Sequence, residues 1–193
     1  MNKILLLGIF MSVLVSGCGS SNGGGTIMFN TVNVTASVDS AKNPLLSDLA
    51  TWKDEATKCD GVQTPTIKND LVNFTVSSKK SISNGTASNI MLQKATIIFT
   101  PADSTSPSLP PQYATTYINL VGQTVTPDGS LSVPIEVVTH NLKELFYATA
   151  VCSNVPVYSY NVQVLFDVVE AGTGKSGMIP AGMTVRIADF TDN

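Results

Sequence analysis

The sequence predicts an all-β sandwich of about seven strands with one or two short helices. Three observations carry that expectation. Ser (20), Thr (21) and Val (21) fill close to a third of the 193 residues, a composition suited to the pleated, half-buried surface of strands. From Ile27 onward, apolar and polar residues alternate with period two in run after run. Turn residues, drawn from 14 Gly and 10 Pro, punctuate those runs at the spacing of a sandwich or barrel.

The N-terminus is of a different kind. Lys3 supplies a short positive region, and Ile4 to Val15 is a stretch of 12 mostly apolar residues. A membrane-spanning helix needs about 20, so this stretch reads as a secretory h-region. Val15-Ser16-Gly17-Cys18 follows and resembles the lipobox of bacterial lipoproteins. The resemblance covers only the first 18 residues. It implies cleavage before Cys18, diacylglycerol on the Cys18 thiol and acylation of the new amino terminus, palmitate being a typical chain. Two or three acyl chains bury enough CH₂ groups for stable anchoring. Gly19 stands where an Asp would mark inner-membrane retention, so in a diderm envelope the resemblance implies the outer membrane. The predicted organisation is residues 1–17 as signal peptide, 18–25 as lipid anchor and Gly/Ser tether, and 26–193 as one domain. Gly19 to Gly25 (GSSNGGG) reads as a flexible tether with no means of forming a core. It reaches roughly 25 Å at most.

Within the body, Val32, Val34, Ala36 and Val38 alternate with Asn33, Thr35 and Ser37, the pattern of a half-buried strand. Leu45 to Lys58 places Leu45, Leu46, Leu49 and Trp52 near helical spacing and predicts one or two helical turns. Val72, Phe74 and Val76 form the next alternating run. Ile90 to Thr100 reads as a longer strand whose apolar phase shifts between Leu92 and Ala95, predicting a bulge or a strand switch. Tyr117 to Thr126 and Leu131 to Val137 flank Pro127-Asp128-Gly129-Ser130, which predicts a hairpin. Asn141-Leu142-Lys143-Glu144 resembles a capping box and predicts a short helix over Asn141 to Tyr147. Tyr158, Tyr160, Val162, Val164, Phe166 and Val168 share one strand face. The Gly-rich loop Gly172 to Gly177 then returns the chain to a last strand, Met183 to Phe190.

Two cysteines remain once Cys18 is assigned to lipid. In an exported chain Cys59 and Cys152 are expected to form one disulfide. Two free thiols for redox or metal chemistry would want a CxxC spacing or a nearby His, and neither is present. Strand count, turns and the paired cysteines together resemble an immunoglobulin-like Greek-key sandwich. Trp52 precedes Cys59 instead of lying between the pair, and Ala150 stands where a tyrosine corner would place Tyr. The fold implied is therefore immunoglobulin-like, not antibody-type, with a jelly-roll or transthyretin-like sandwich as the alternative.

Composition and motifs narrow the chemistry. Net charge is −3 with Arg186 the single arginine, so no phosphate-binding surface is visible and a nucleic-acid partner is disfavoured. Gly172-Thr173-Gly174-Lys175-Ser176 lacks the first glycine of a phosphate loop, Val169 standing there, and leads into Met178-Ile179-Pro180. A nucleotide site is not expected. His140 is the sole imidazole, and no Gly-x-Ser-x-Gly elbow occurs, so a Ser-His-Asp site has no support and His140 reads as a capping or exposed residue. Zinc would lack ligands. Asp54, Glu55 and Asp60 form one acidic group and Asp167, Glu170, Asp189 and Asp192 another; both read as solvated loop charges without calcium-loop spacing. Met178 and Met183 with His140 would suit soft copper, but core packing is the simpler role for methionine. Tyr113, Tyr117, Tyr147, Tyr158, Tyr160 and Trp52 are candidates for a stacking platform, with Tyr158 and Tyr160 reading as core. Residues 101–111 read as an exposed Pro/Ser loop. No catalytic, cofactor or metal residue is therefore expected. The expected role is a lipid-anchored binding or structural module of the cell envelope with a protein or glycan partner. The rival expectations are an envelope hydrolase with a carboxylate-based site and a small-ligand or metal carrier.

Overall fold

The computed structural model describes residues 23–54, 58, 63–82, 85–151 and 157–190, residues 148–150 through their backbone alone. Cys18, Cys59 and Cys152 lie outside the described residues, as do the signal segment, Glu55, Asp60 and Asp192. No disulfide occurs among the described residues. Along the chain come β1 (Gly25–Met28), β2 (Val32–Val38), a 3₁₀ turn (Ser40–Lys42), β3 (Leu45–Asp48), β4 (Asp70–Lys80), β5 (Ile90–Pro101), α1 (Pro111–Ala114), β6 (Thr115–Asn119), β7 (Thr124–Val125), β8 (Ser130–Val138), α2 (His140–Ala150), β9 (Tyr158–Glu170) and β10 (Ser176–Ala188).

The strands form two sheets. One is antiparallel in the order β1-β2-β4-β8; the other runs β3-β10-β9-β5-β6, with β7 also paired to β5. Only β3 pairs in parallel, Leu45 to Asp48 lying beside Val185 to Ala188 of β10. Inward residues of both sheets meet in one core. Phe74 of β4 and Phe166 of β9 touch edge to face, ring centroids 5.8 Å apart. The molecule is an all-β sandwich with two short helices. The orders β2-β4-β8 and β10-β9-β5-β6 match A-B-E and G-F-C-C′ of the immunoglobulin-like arrangement.

Period-two alternation identified the long strands. β2 spans Val32–Val38, and β9 and β10 form the expected hairpin, but its loop is residues 171–175 and β10 begins at Ser176, not at Met183. The phase shift in β5 is a bulge, with pairing to β9 slipping between Leu92 and Lys94. Ten strands are described, not about seven, because β1, β3 and β7 are too short for alternation to show.

Four local expectations are corrected. Leu45 to Asp48 is strand, not helix: edge pairing with β10 outweighs a weak helical spacing. The Pro127-Asp128 turn is real, Gly129 N–H donating to the Thr126 carbonyl at 3.0 Å with Asp128 at φ 60°. It is a crossover and not a hairpin turn, because β7 pairs with β5 and β8 with β4. Turn chemistry is local and does not choose the sheet. A side chain at Gly129 would strike the Thr126 hydroxyl. The helix expected over Asn141 to Tyr147 is α2, but its cap is Thr139, whose hydroxyl accepts from Leu142 N–H.

The fourth correction concerns the tether. Gly24 forms a β-bridge with Ala181, Gly182 N–H donates to the Gly23 carbonyl, and Gly25 opens β1. A Cβ on Gly25 would lie 2.4 Å from the Pro180 ring, so this glycine permits close approach of the backbone to β10. The last three residues of the expected tether thus belong to the sandwich, stitching the first sheet to the second.

Candidate functional site

One open cleft of about 360 Å³ lies where the two sheets part, at the side bounded by the edge strands β8 and β6. Gln112 and Tyr113 of α1 and Thr116 of β6 form one wall, and Glu136 of β8 part of the other. Thr139, His140 and Asn141, at the start of α2, close one end together with Asn69. Two of these groups are structural. The Thr139 hydroxyl caps α2, and Asn69 Oδ1 accepts from His140 N–H, tying the segment before β4 to the helix start. By contrast, the side chains of Gln112, Tyr113, Thr116, Glu136 and Asn141 make no hydrogen bond to another described residue.

His140 is positioned by its surroundings. Its Nδ1–H donates to the Ile67 carbonyl at 3.1 Å, and Nε2 faces Glu144 Oε1 at 3.0 Å across one helical turn. Both ring nitrogens are therefore engaged by groups other than a serine or threonine hydroxyl. The contact with Glu144 is a salt bridge when the ring is protonated, between partially exposed side chains.

The acidic residues separate into distinct environments. Glu170, expected as a solvated loop charge, is fully buried. It accepts from Thr31 N–H at 2.9 Å, Thr31 Oγ1 at 2.6 Å and Thr173 Oγ1 at 2.5 Å. Burial alone would raise its pKa, but the hydroxyls of Thr173 and Thr31 and the N–H groups of Thr31 and Asn30 outweigh burial and hold the carboxyl below its ordinary value. Glu170 thereby clamps the β1–β2 turn to the β9–β10 loop. Asp167 pairs with Lys94 at 3.1 Å. Asp189 lies 3.5 Å from the Lys58 ammonium and accepts from Trp52 Nε1 at 3.4 Å.

Beneath α2, Lys143 is buried and donates to the Asp48 carbonyl at 2.6 Å, with Asp70 Oδ2 at 3.0 Å. Ser47 Oγ donates to the same Asp70 oxygen at 2.5 Å. This network ties helix to β3 and β4. Among the described residues, no group of three or more His, Cys, Asp or Glu side chains could hold a metal ion. Met178 is exposed and Met183 buried on β10, so the two methionines face opposite sides of one strand and cannot converge with His140.

The tyrosines do not form one platform. Tyr160 is buried and donates to the Pro107 carbonyl at 2.8 Å, its phenol pushed well above the ordinary value by burial and then by its neighbours Tyr158 and Asp103. Tyr158 packs against Phe146 at 5.0 Å. Tyr117 stands exposed on the outer face of the larger sheet under the Lys94 ammonium, 5.2 Å away. Only Tyr113 borders the cleft.

The Pro/Ser loop is better fixed than its composition implies. Asp103 Oδ1 accepts from the N–H and hydroxyl groups of Thr105 and Ser106, and these bonds, the hydroxyl of Thr105 first, lower its pKa. Ser106 is buried and its hydroxyl accepts from Ser159 N–H at 2.7 Å.

Sequence reasoning singled out His140 and Tyr113 but not Asn69, Gln112, Thr116 or Glu136, which are scattered over 68 positions. Glu170 was findable, since it continues the even-numbered face of Tyr160, Val162, Val164, Phe166 and Val168. No protein-family model matches this chain, and no curated protein matches it significantly.

Proposed function

We propose that this protein is a lipid-anchored, non-catalytic binding module of the bacterial cell envelope, held to its membrane through Cys18. The observation that carries this reading is the apolar stretch Ile4 to Val15 leading into Val15-Ser16-Gly17-Cys18. Gly23 lies against β10, its carbonyl accepting from Gly182 N–H, and four residues separate it from the proposed lipidated cysteine. The five steps from Cys18 to Gly23 span at most roughly 18 Å, which keeps the β1/β3 side of the sandwich close to the bilayer. The polar cleft lies on the other side, between β8 and β6, and is therefore turned outward. Among the described residues a single carboxylate, Glu136, lines it, where glycoside hydrolysis uses a pair. A disulfide between Cys59 and Cys152 belongs to the same reading of an exported protein.

Cell fractionation tests the anchor. Cys18→Ser is expected to move the protein from the membrane fraction to the soluble extracytoplasmic fraction, and metabolic labelling with a fatty acid is expected to mark the parent but not the variant. Unchanged membrane attachment of the variant would overturn the reading.

A further inference from the structure

We infer that the cleft between β6 and β8 is a binding site for a neutral saccharide. The inference names the ligand class for the binding module proposed above and rests on that reading for its biological setting. Five lining side chains, those of Gln112, Tyr113, Thr116, Glu136 and Asn141, have no hydrogen-bond partner among the described residues. Together they offer amide donors, amide and carboxylate acceptors, and hydroxyls that do both. A ligand dense in hydroxyl groups matches that mixture, since each sugar hydroxyl can donate to one group and accept from another.

Other ligand classes fit less well. No Lys or Arg lines the cleft, and its one imidazole, His140, is already engaged by the Ile67 carbonyl and Glu144, so a phosphate or carboxylate would find no free cation and would meet Glu136. The walls carry no leucine, isoleucine, valine, methionine or phenylalanine; their apolar surface is that of the Tyr113 ring and the carbon stems of polar side chains, which the apolar face of a sugar ring can meet. Tyr113, partly buried against the core, supplies one aromatic ring, of the kind that packs against an apolar face while its hydroxyl remains available. At about 360 Å³ the space lies at the small end of ligand pockets, suited to a short oligosaccharide segment and not to a folded partner. The frame is rigid: Thr139 caps α2, Asn69 holds the His140 N–H, and Ile67 and Glu144 hold the ring. Little ordering cost then falls on the site when it binds.

The test is an NMR titration of the full chain in detergent micelles with maltose, cellobiose and N,N′-diacetylchitobiose, with glucose 6-phosphate as the anionic comparison. Saturable shifts at Gln112, Tyr113 and Asn141 with at least one disaccharide are expected, at a Kd of about 1–10 mM. Gln112→Ala and Glu136→Ala are each expected to weaken that binding at least about tenfold while leaving Tm unchanged. Tyr113→Phe, which keeps the ring, is expected to weaken it less than Gln112→Ala does. Absence of shifts in the cleft with all three disaccharides at about 50 mM, tighter binding of the sugar phosphate, or full affinity in both alanine variants would overturn the inference. Binding in micelles does not depend on Cys18 acylation, so this outcome is read separately from the fractionation of Cys18→Ser.

Discussion

Glu170 illustrates how one residue can hold two hairpins in place. Its carboxylate receives the Thr31 and Thr173 hydroxyls and backbone N–H groups from the β1–β2 turn. Replacing it with Ala would leave buried donors unsatisfied, at a cost of about 2–3 kcal/mol; urea unfolding of Glu170→Ala beside the parent measures it. The pH dependence follows from the same bonds. Glu170 and Asp103 both titrate below their ordinary values in the folded protein. As pH falls, the unfolded chain therefore takes up protons before the folded one does. Their contribution is complete above the unfolded carboxyl pKa, near about 4, and is lost as pH falls through the lower folded-state values. Acid titration of the parent is expected to show a stability loss in that window, reduced in Glu170→Ala.

At the scale of elements, α2 is attached as much by charge as by packing. Leu142 and Phe146 enter the core, while Lys143 reaches Asp70 and the Asp48 carbonyl. Truncating Lys143 to Ala is expected to destabilise the fold by about 2–4 kcal/mol, because Asp70 would lose its buried cationic partner. The double variant Lys143→Met/Asp70→Asn removes both charges and is expected to regain part of that loss, a coupling that a double-mutant cycle in thermal denaturation would measure. In the cycle of Lys143→Met, Asp70→Asn and their combination, losses that simply add would show the pair to be without energetic weight. The short strand β3 makes the complementary point. Its Leu45 and Leu46 open a helical-looking spacing that continues to Leu49 and Trp52, yet the chain is extended over Leu45 to Asp48 because β10 offers an open parallel edge at Val185 to Ala188.

At the scale of the molecule, Gly23 to Gly25 join the two sheets on one side and the cleft opens on the other. The strand orders thus put Gly23 to Gly25 and the proposed binding surface at opposite edges of the sandwich. The proposed Cys59–Cys152 bridge acts at the same scale. The cysteines are 93 positions apart, and closing such a loop is worth roughly 4–5 kcal/mol in the chain-entropy model. A thiol reductant is accordingly expected to lower Tm by about 10 °C, and mass mapping without reductant to recover the Cys59–Cys152 peptide pair. Two alkylatable thiols in the exported protein would refute the bridge.

The sequence by itself determined the fold class, the long strands, the β5 bulge and the closing hairpin, because each is written in the alternation of neighbouring residues and the inward face of a strand must be apolar. It also marked the turn at Pro127 to Gly129 through local backbone preference. Only the tertiary structure decided which strands pair, and so turned an expected hairpin into a crossover and a helical spacing into a strand. The candidate site belongs to that second class. Asn69, Gln112, Thr116, Glu136 and Asn141 share no motif or period and meet only because two sheet edges and the start of a helix converge. Pairing and convergence depend on contacts between residues far apart in the chain, which periodicity along it does not encode.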